Sequence, residues 1–316
     1  MRSRLTVMVT CWLVATLGMP SAWAVVPEPL IPRDFPDPEV IVADGVHYAY
    51  ATGTERQRVP YAVGGVDGAS WQVGGDALPR RPRWMAVGAG AWAPDVSVRP
   101  NGDYLLYFTG PRAGDGTLCV GAATAPRPEG PFRPAPEPLV CESRLGGVID
   151  PASFVAEDGR RYLVYKTNAD PATIWLQPVE PGGMALGGAP TPLLRADRPD
   201  EGGIVEAPVL VRRPSGYVLF YAANHFRSRH YQTRYATASS LKGPYRKAGG
   251  PLLTSASTGI ESPGGADVAA GHLYFHGWLG GGREVRAMYR LAYRWAGDRP
   301  VVPGRSDVAG QPTRSS

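Results

Sequence analysis

A hairpin with a glycine turn returns five times along this chain of 316 residues, and its spacing restricts the fold more than any other feature. The copies read EVIVADGVHYAYAT, DVSVRPNGDYLLYFT, SFVAEDGRRYLVYKT, PVLVRRPSGYVLFYA and ADVAAGHLYFHGW. Each is a short apolar strand, a tight turn and a second strand, in most copies rich in Tyr, Leu and Val. The turn glycines Gly45, Gly102, Gly159, Gly216 and Gly271 stand 57, 57, 57 and 55 residues apart. A fixed period of this size marks a repeat architecture in which each unit buries its apolar faces against its neighbours. Hairpins exclude helical solenoids, and five units of four strands close into a ring, so the expected fold is an all-β, five-bladed β-propeller. A weaker second hairpin supports the register. Ala123-Thr124-Ala125 leads to Gly130-Pro131-Phe132, and Ala236-Thr237-Ala238 leads to Gly243-Pro244-Tyr245, two periods further on. The blades then span about 30–80, 85–140, 145–195, 200–252 and 258–300. A β-sandwich is the alternative, but its strands have no reason to keep a constant interval.

The two ends read differently from the middle. Residues 1–24 combine Arg2 and Arg4, the apolar run LTVMVTCWLVATLG and the small-x-small site Ala22-Trp23-Ala24, the pattern of a secretory signal peptide. The apolar run is shorter than the roughly 18–20 residues that span a bilayer. The expected product is secreted, extracellular or periplasmic, with no membrane attachment after cleavage, and it occupies residues 25–300 as one propeller domain. From 301 to 316 the chain turns polar without a strand pattern, which reads as a disordered tail. Cleavage leaves Cys119 and Cys141, an even pair that an oxidising compartment favours as a disulfide, with two free thiols or a metal pair as the alternative. A loop of 22 residues closed in this way gains roughly 3 kcal/mol in the chain-entropy picture. The net charge of +5 rests almost wholly on arginine and forms no Lys/Arg cluster, so no nucleic-acid partner is expected.

In a propeller the first strand of each blade runs along the axis, so acidic residues entering these strands converge. Counting back from the turn glycines gives Asp37, Asp95, Asp150 and Glu206. Asp37, Asp150 and Glu206 lie among small, apolar or proline neighbours, in FPDPEV, GVIDPASF and IVEAPVL. Asp-Pro is a common turn opener. Three carboxylates gathered in mostly apolar surroundings, however, are costly without a purpose. Their mutual repulsion drives their pKa values apart, the condition for one to act as acid and another as base. A small ligand pocket also needs an apolar platform. Trp92 of WAPD is the first candidate, with Trp84 and Phe35 behind it, while Asn224 and His225 of YAANHF lie where the fourth blade's second strand ends.

The ordered series FPDPEV, WAPDV, GVIDPASF, IVEAPVL and FHGW resembles glycoside hydrolase family 43, over about Phe35 to Trp295. That resemblance implies an inverting glycosidase with Asp37 as general base, Glu206 as general acid and Asp150 as the residue that tunes and orients the acid. It also implies a substrate-binding Arg286 and a His276 facing a water-coordinated calcium ion, although a packed histidine explains His276 equally well and no cofactor is required. Inversion needs room for a water, so the carboxyls of Asp37 and Glu206 are expected about 6.5–9.5 Å apart. The implied substrate is an α-L-arabinofuranoside in arabinan or arabinoxylan-type plant polysaccharide, acted on by a monomer. The alternatives are a β-D-xylosidase on the same scaffold and a non-catalytic carbohydrate-binding propeller.

Overall fold

The second strand of each repeat is apolar on both faces, so it must be covered on both sides. The computed structural model describes residues 26–54 and 56–303 and shows how that is met. Blade one holds β1 (Glu39–Ala43), β2 (Val46–Tyr50), β3 (Pro60–Gly64) and β4 (Trp71–Asp76). Blade two holds β5 (Trp92–Val98), β6 (Tyr104–Pro111), β7 (Leu118–Ala125), β8 (Arg133–Pro134) and β9 (Val140–Cys141). Blade three holds β10 (Val148–Val155), β11 (Arg161–Thr167), β12 (Thr173–Val179) and β13 (Thr191–Arg195). Blade four holds β14 (Val205–Arg213), β15 (Gly216–Ala223), β16 (Gln232–Ala238) and β17 (Arg246–Lys247). Blade five holds β18 (Glu261–Ala269), β19 (His272–Leu279) and β20 (Val285–Ala292). Every strand pairs antiparallel with its neighbour, and the innermost strands meet in the closed order β1, β5, β10, β14, β18, β1.

There is no single core. Five apolar clusters fill the five seams between blades. The alternation of each second strand assigns its residues to the two seams it borders. In β6, Leu106 and Phe108 pack toward blade one while Leu105 and Tyr107 pack toward blade three. In β11, Leu163 and Tyr165 face blade two, and Tyr162 and Val164 face blade four. The pattern repeats in β15 and β19, where Val218 and Phe220 meet Leu273 and Phe275. A disulfide joins Cys119 to Cys141 across β7 and β9, with their Cα atoms 4.5 Å apart.

The ring departs from five equal units at its closure. Blade five contributes only three strands of its own, and the N-terminal segment completes it. Ile31 bridges Met288 on β20, Leu30 N donates to Met288 O at 2.8 Å, and Phe35 N donates to Arg286 O at 2.9 Å. Ile31 and Phe35 are buried with Tyr274 and Met288 against Val40, Ala49 and Ala62 of blade one. Blade one's leading segment and blade five are thereby joined in one seam. A final hairpin, β21 (Arg294–Ala296) with β22 (Arg299–Val301), lies where a tail was expected to begin, since Val301 pairs with Arg294. The expected signal peptide and most of the expected tail, residues 304–316, lie outside the described residues.

Because the seam depends on this segment, Phe35→Ala should lower stability by about 3–5 kcal/mol in urea unfolding, the usual cost of emptying a fully buried aromatic site. Val66→Ser, at a position 80 % exposed, should change it by less than about 0.5 kcal/mol. Equal effects of the two substitutions would remove the N-terminal segment from the seam.

Candidate active site

Five prolines, Pro38, Pro94, Pro151, Pro208 and Pro263, follow a residue whose φ is positive. These are Asp37 (53°), Ala93 (42°), Asp150 (55°), Ala207 (48°) and Ser262 (56°). A residue before proline prefers extended backbone, and a left-handed one costs on the order of 1–3 kcal/mol. The ladder skips at the same place: between Trp92 and Asp95, Ile149 and Ala152, Glu206 and Val209, and Glu261 and Gly264. Such a bulge re-aims a side chain that a regular strand would point into a seam. Each strained residue has its N–H held by a side chain. Asp37 N donates to His276 Nδ1 at 3.1 Å, Ala93 N to Thr52 Oγ1 at 2.8 Å, and Asp150 N to Thr109 Oγ1 at 3.1 Å. Ala207 N donates to Asp150 Oδ2 and Ser262 N to Ser255 Oγ, both at 2.9 Å. Four of these five bonds come from the preceding blade.

Aligning on the prolines corrects the equivalences drawn from the turn glycines. Asp37 and Asp150 are equivalent, but Glu206 stands one residue earlier and shares its register with Trp92, Ile149 and Glu261. Asp95 stands two residues later, with Glu39, and therefore belongs to a deeper level of the axis. There Glu39, Asp95 and Asp267 line a small channel of about 40 Å³ beneath the site. Asp267 Oδ2 accepts the N–H of Val40 at 2.9 Å, whereas Asp95 Oδ1 is buried without a hydrogen-bond partner. Burial pushes Asp95 up to about 6 and Asp267 up to about 7. Glu39 is raised well above the ordinary range by burial and then by the charges of Asp267 and Asp95.

Above that level Asp37, Asp150 and Glu206 open onto one cavity of about 690 Å³. Asp37 accepts a hydrogen bond from Thr52 Oγ1 at 2.6 Å and lies 3.5 Å from Arg286 Nη1. Burial alone would raise its pKa. The Arg286 guanidinium, with the Thr52 hydroxyl, outweighs that and holds the carboxyl well below the usual range. Asp150 is in the opposite situation. Burial, then the neighbouring Glu206 carboxylate, push it up to about 7 against the pull of Lys166. Glu206 itself meets Lys166 Nζ at 2.9 Å, which the expectation of a purely apolar setting did not include. Tyr231, fully buried beside these groups, is raised well above its ordinary value by burial and by the three carboxylates, so its hydroxyl stays neutral.

Trp92, His225 and Arg286 also line the cavity, and Trp92 is 40 % exposed there. Arg286 lies over the Phe226 ring, 4.9 Å from its centre, and Phe226 stacks on Trp278. Three expected pocket residues lie elsewhere. Trp84 is buried in the seam of blades one and two, stacked on Phe108. Phe35 is buried in the closing seam, because it belongs to the segment that completes blade five. Asn224 turns away and ties its own loop, donating to the carbonyls of Asp200 and His230. Lys166, Tyr231, Asn168 and Phe226 line the cavity and were not anticipated. Lys166 had a legible signal, since Thr52, Thr109 and Lys166 follow one another at the 57-residue period.

His276 is fully buried and stacked on Tyr231, and burial lowers its pKa, so the ring is neutral. Its Nδ1 is engaged by the Asp37 N–H. Among the described residues no group of three or more His, Cys, Asp or Glu is disposed to hold a metal ion. A calcium ion prefers several oxygen ligands. Among the described residues there is therefore no cage of protein ligands for such an ion.

The sequence matches the family described as glycosyl hydrolases family 43 over residues 26–274. It is 26 % identical over 261 residues to an extracellular endo-α-(1→5)-L-arabinanase of Bacillus subtilis, covering 75 % of this chain and 77 % of that protein. Among solved structures, a thermostable family-43 glycoside hydrolase superposes with a TM-score of 0.77 at 22 % identity, covering 92 % of this chain and 98 % of that one. A protein from Bacteroides thetaiotaomicron described as an endo-1,4-β-xylanase superposes with a TM-score of 0.75 at 26 % identity, covering 87 % and 96 %.

The axial carboxylates make stability depend on pH. Asp95 holds its proton more tightly folded than unfolded, so its contribution is complete below about pH 4 and is lost as pH rises through about 6. Asp95→Asn should therefore flatten the fall in thermal stability between pH 4 and 8 and gain on the order of 2 kcal/mol at pH 8. A variant whose stability follows pH as the parent does would show that Asp95 carries no such load.

Proposed function

The chain belongs to the glycosyl hydrolases of family 43, and from that premise we propose an exported enzyme that cleaves α-L-arabinofuranosidic linkages in arabinan or arabinoxylan-type polysaccharide, with inversion. The observation that carries the reading is the convergence of Asp37, Asp150 and Glu206 on one cavity, with their environments set apart. Asp37 is held ionised while Asp150, on the flank that carries Glu206, keeps a proton near neutrality, so the two sides of the cavity differ as a base side and an acid side do. Asp37, held by Thr52 and Arg286, accepts the proton of the attacking water. Glu206 donates a proton to the departing glycosidic oxygen. Asp150 grips the N–H of Ala207, next in sequence to Glu206, and so orients the acid. Trp92 supplies the apolar wall for the sugar, and Arg286 and His225 supply polar contacts around it.

The substrate class is supported by the similarity to the Bacillus subtilis arabinanase, which runs along three quarters of the chain. Export is supported by the basic, apolar and small-residue opening of residues 1–24 and by the extracellular description of the same relative. A β-D-xyloside is the second reading, favoured by the similarity to the Bacteroides protein.

Incubation with an aryl α-L-arabinofuranoside, an aryl β-D-xyloside and linear arabinan ranks these readings directly. Release from the arabinose substrates, with the β-anomer formed first by NMR, is the expected result, and turnover of the xyloside alone would replace the substrate assignment. Asp37→Asn and Glu206→Gln should each lower kcat on arabinan by about 10²–10⁴. Asp150, beside the acid, releases its proton near pH 7, and the charge it then carries opposes proton donation on that flank, so kcat/KM should fall as pH rises through about 7. An activity that increases steadily from pH 6 to pH 9 would contradict the acid–base assignment.

A further inference from the structure

Lys166 is the cation to which that reading gives no task. It is one of three lysines in a chain whose basic side chains are otherwise arginine. It stands near the end of β11, 5 % exposed, and lines the catalytic cavity. Its Nζ lies 2.9 Å from Oε2 of Glu206 on the next blade, the side chains being 6 % and 15 % exposed. Among the described residues that oxygen is the one hydrogen-bond partner of the ammonium. A buried lysine is costly unless it is paired, and a pair this sheltered is little screened by salt.

Its position in the repeat explains how it reaches Glu206. Lys166 pairs with Ile149 in the ladder as Thr109 pairs with Trp92. At this register Thr52 and Thr109 each reach forward to the next blade, where they accept the N–H of Ala93 and of Asp150. On blade four the corresponding N–H, that of Ala207, is taken by Asp150 Oδ2. Position 166 is thereby released from the backbone and points a charge at the same strand.

The charges around Glu206 then balance in one way. Asp37, Asp150 and Glu206 are three acids, facing Arg286 and Lys166 as two cations, while burial keeps His276 and Tyr231 neutral. Asp170 and His225 lie at the exposed mouth. One proton on the Asp150–Glu206 pair makes the buried set neutral. Without Lys166, neutrality would need a second proton on that pair.

Resting on Glu206 as the acid, we infer that Lys166 is the positioning residue of the acid step: its ammonium fixes Oε2, leaves Oε1 to carry the proton to the leaving oxygen, and stabilises the carboxylate that forms. In that step the O–H bond of Glu206 breaks and an O–H bond to the glycosidic oxygen forms. The C–O bond to the anomeric carbon breaks with its electron pair on that oxygen. The negative charge left on Glu206 develops 2.9 Å from a cation already in place, which needs no reorganisation at the moment of reaction.

Lys166→Met and Lys166→Arg, each checked for native thermal unfolding, test this. With Met, hydrolysis of arabinan should fall about 10²-fold, while an aryl arabinofuranoside with an activated leaving group, which needs little acid help, should lose less than about tenfold. The alkaline limb of kcat/KM should move up by about one to three pH units and return with Arg. Equal losses on both substrates with an unmoved limb would reduce Lys166 to a packing role. Infrared titration of the substrate-free proteins should show an additional protonated carboxyl near neutral pH in the Met variant, and its absence would overturn the proposal. That readout needs no turnover, so it separates this inference from the arabinofuranoside reading, which fails if the parent enzyme does not hydrolyse the substrate. If the Met variant does not fold, Lys166→Gln serves in the same measurements.

Discussion

A left-handed residue in front of a proline, at the mouth of every innermost strand, is the constraint on which the site depends. It is unfavourable at each of five places, and it persists because a side chain, in four cases from the blade before, accepts the N–H there. The strain is thus offset only when adjacent blades are docked. Where the residue is Ala93 or Ala207, the arrangement is purely architectural. Where it is Asp37 or Asp150, the same backbone delivers a carboxylate into the cavity, so the chemistry is an elaboration of a joint that all five blades share.

The axis is also graded in charge. At the catalytic level Arg286 and Lys166 stand among the carboxylates, and one acid is held ionised while its neighbour keeps its proton near neutrality. Deeper down, Glu39, Asp95 and Asp267 share a narrow channel, and burial, first, raises all three, with mutual repulsion adding to it at Glu39 and Asp267. The contrast shows that proximity of acids does not separate their roles. Hydrogen-bond donors and cations placed asymmetrically among them do.

Much of this was written in the sequence as spacing. The period of the turn glycines gives the number of blades, and the two-sided apolar second strands give the seams. Asp37, Asp150 and Glu206 were found by the same period, but their register was misjudged because it was counted from the far end of the strand, across a bulge that adds a residue. The proline that marks the bulge aligns them without error, including Ser262-Pro263 on the fifth blade. Trp84 and Phe35 were misplaced because an aromatic near a motif reads alike whether it enters a seam or a cavity; the face it takes is set by pairing partners remote in sequence. The return of Leu30 and Ile31 to Met288 had no local signal at all, since it depends on the ring being closed.

That return has a consequence for when the protein becomes active. Phe35 is locked beside Arg286 O, and Asp37 follows two residues later with its N–H on His276. Asp37 is therefore seated by contacts from blade five. Without blade five, Glu206 and Asp150 would stand in finished blades while Asp37 lacked its partners His276 and Arg286, so the cavity is whole only once blade five has docked.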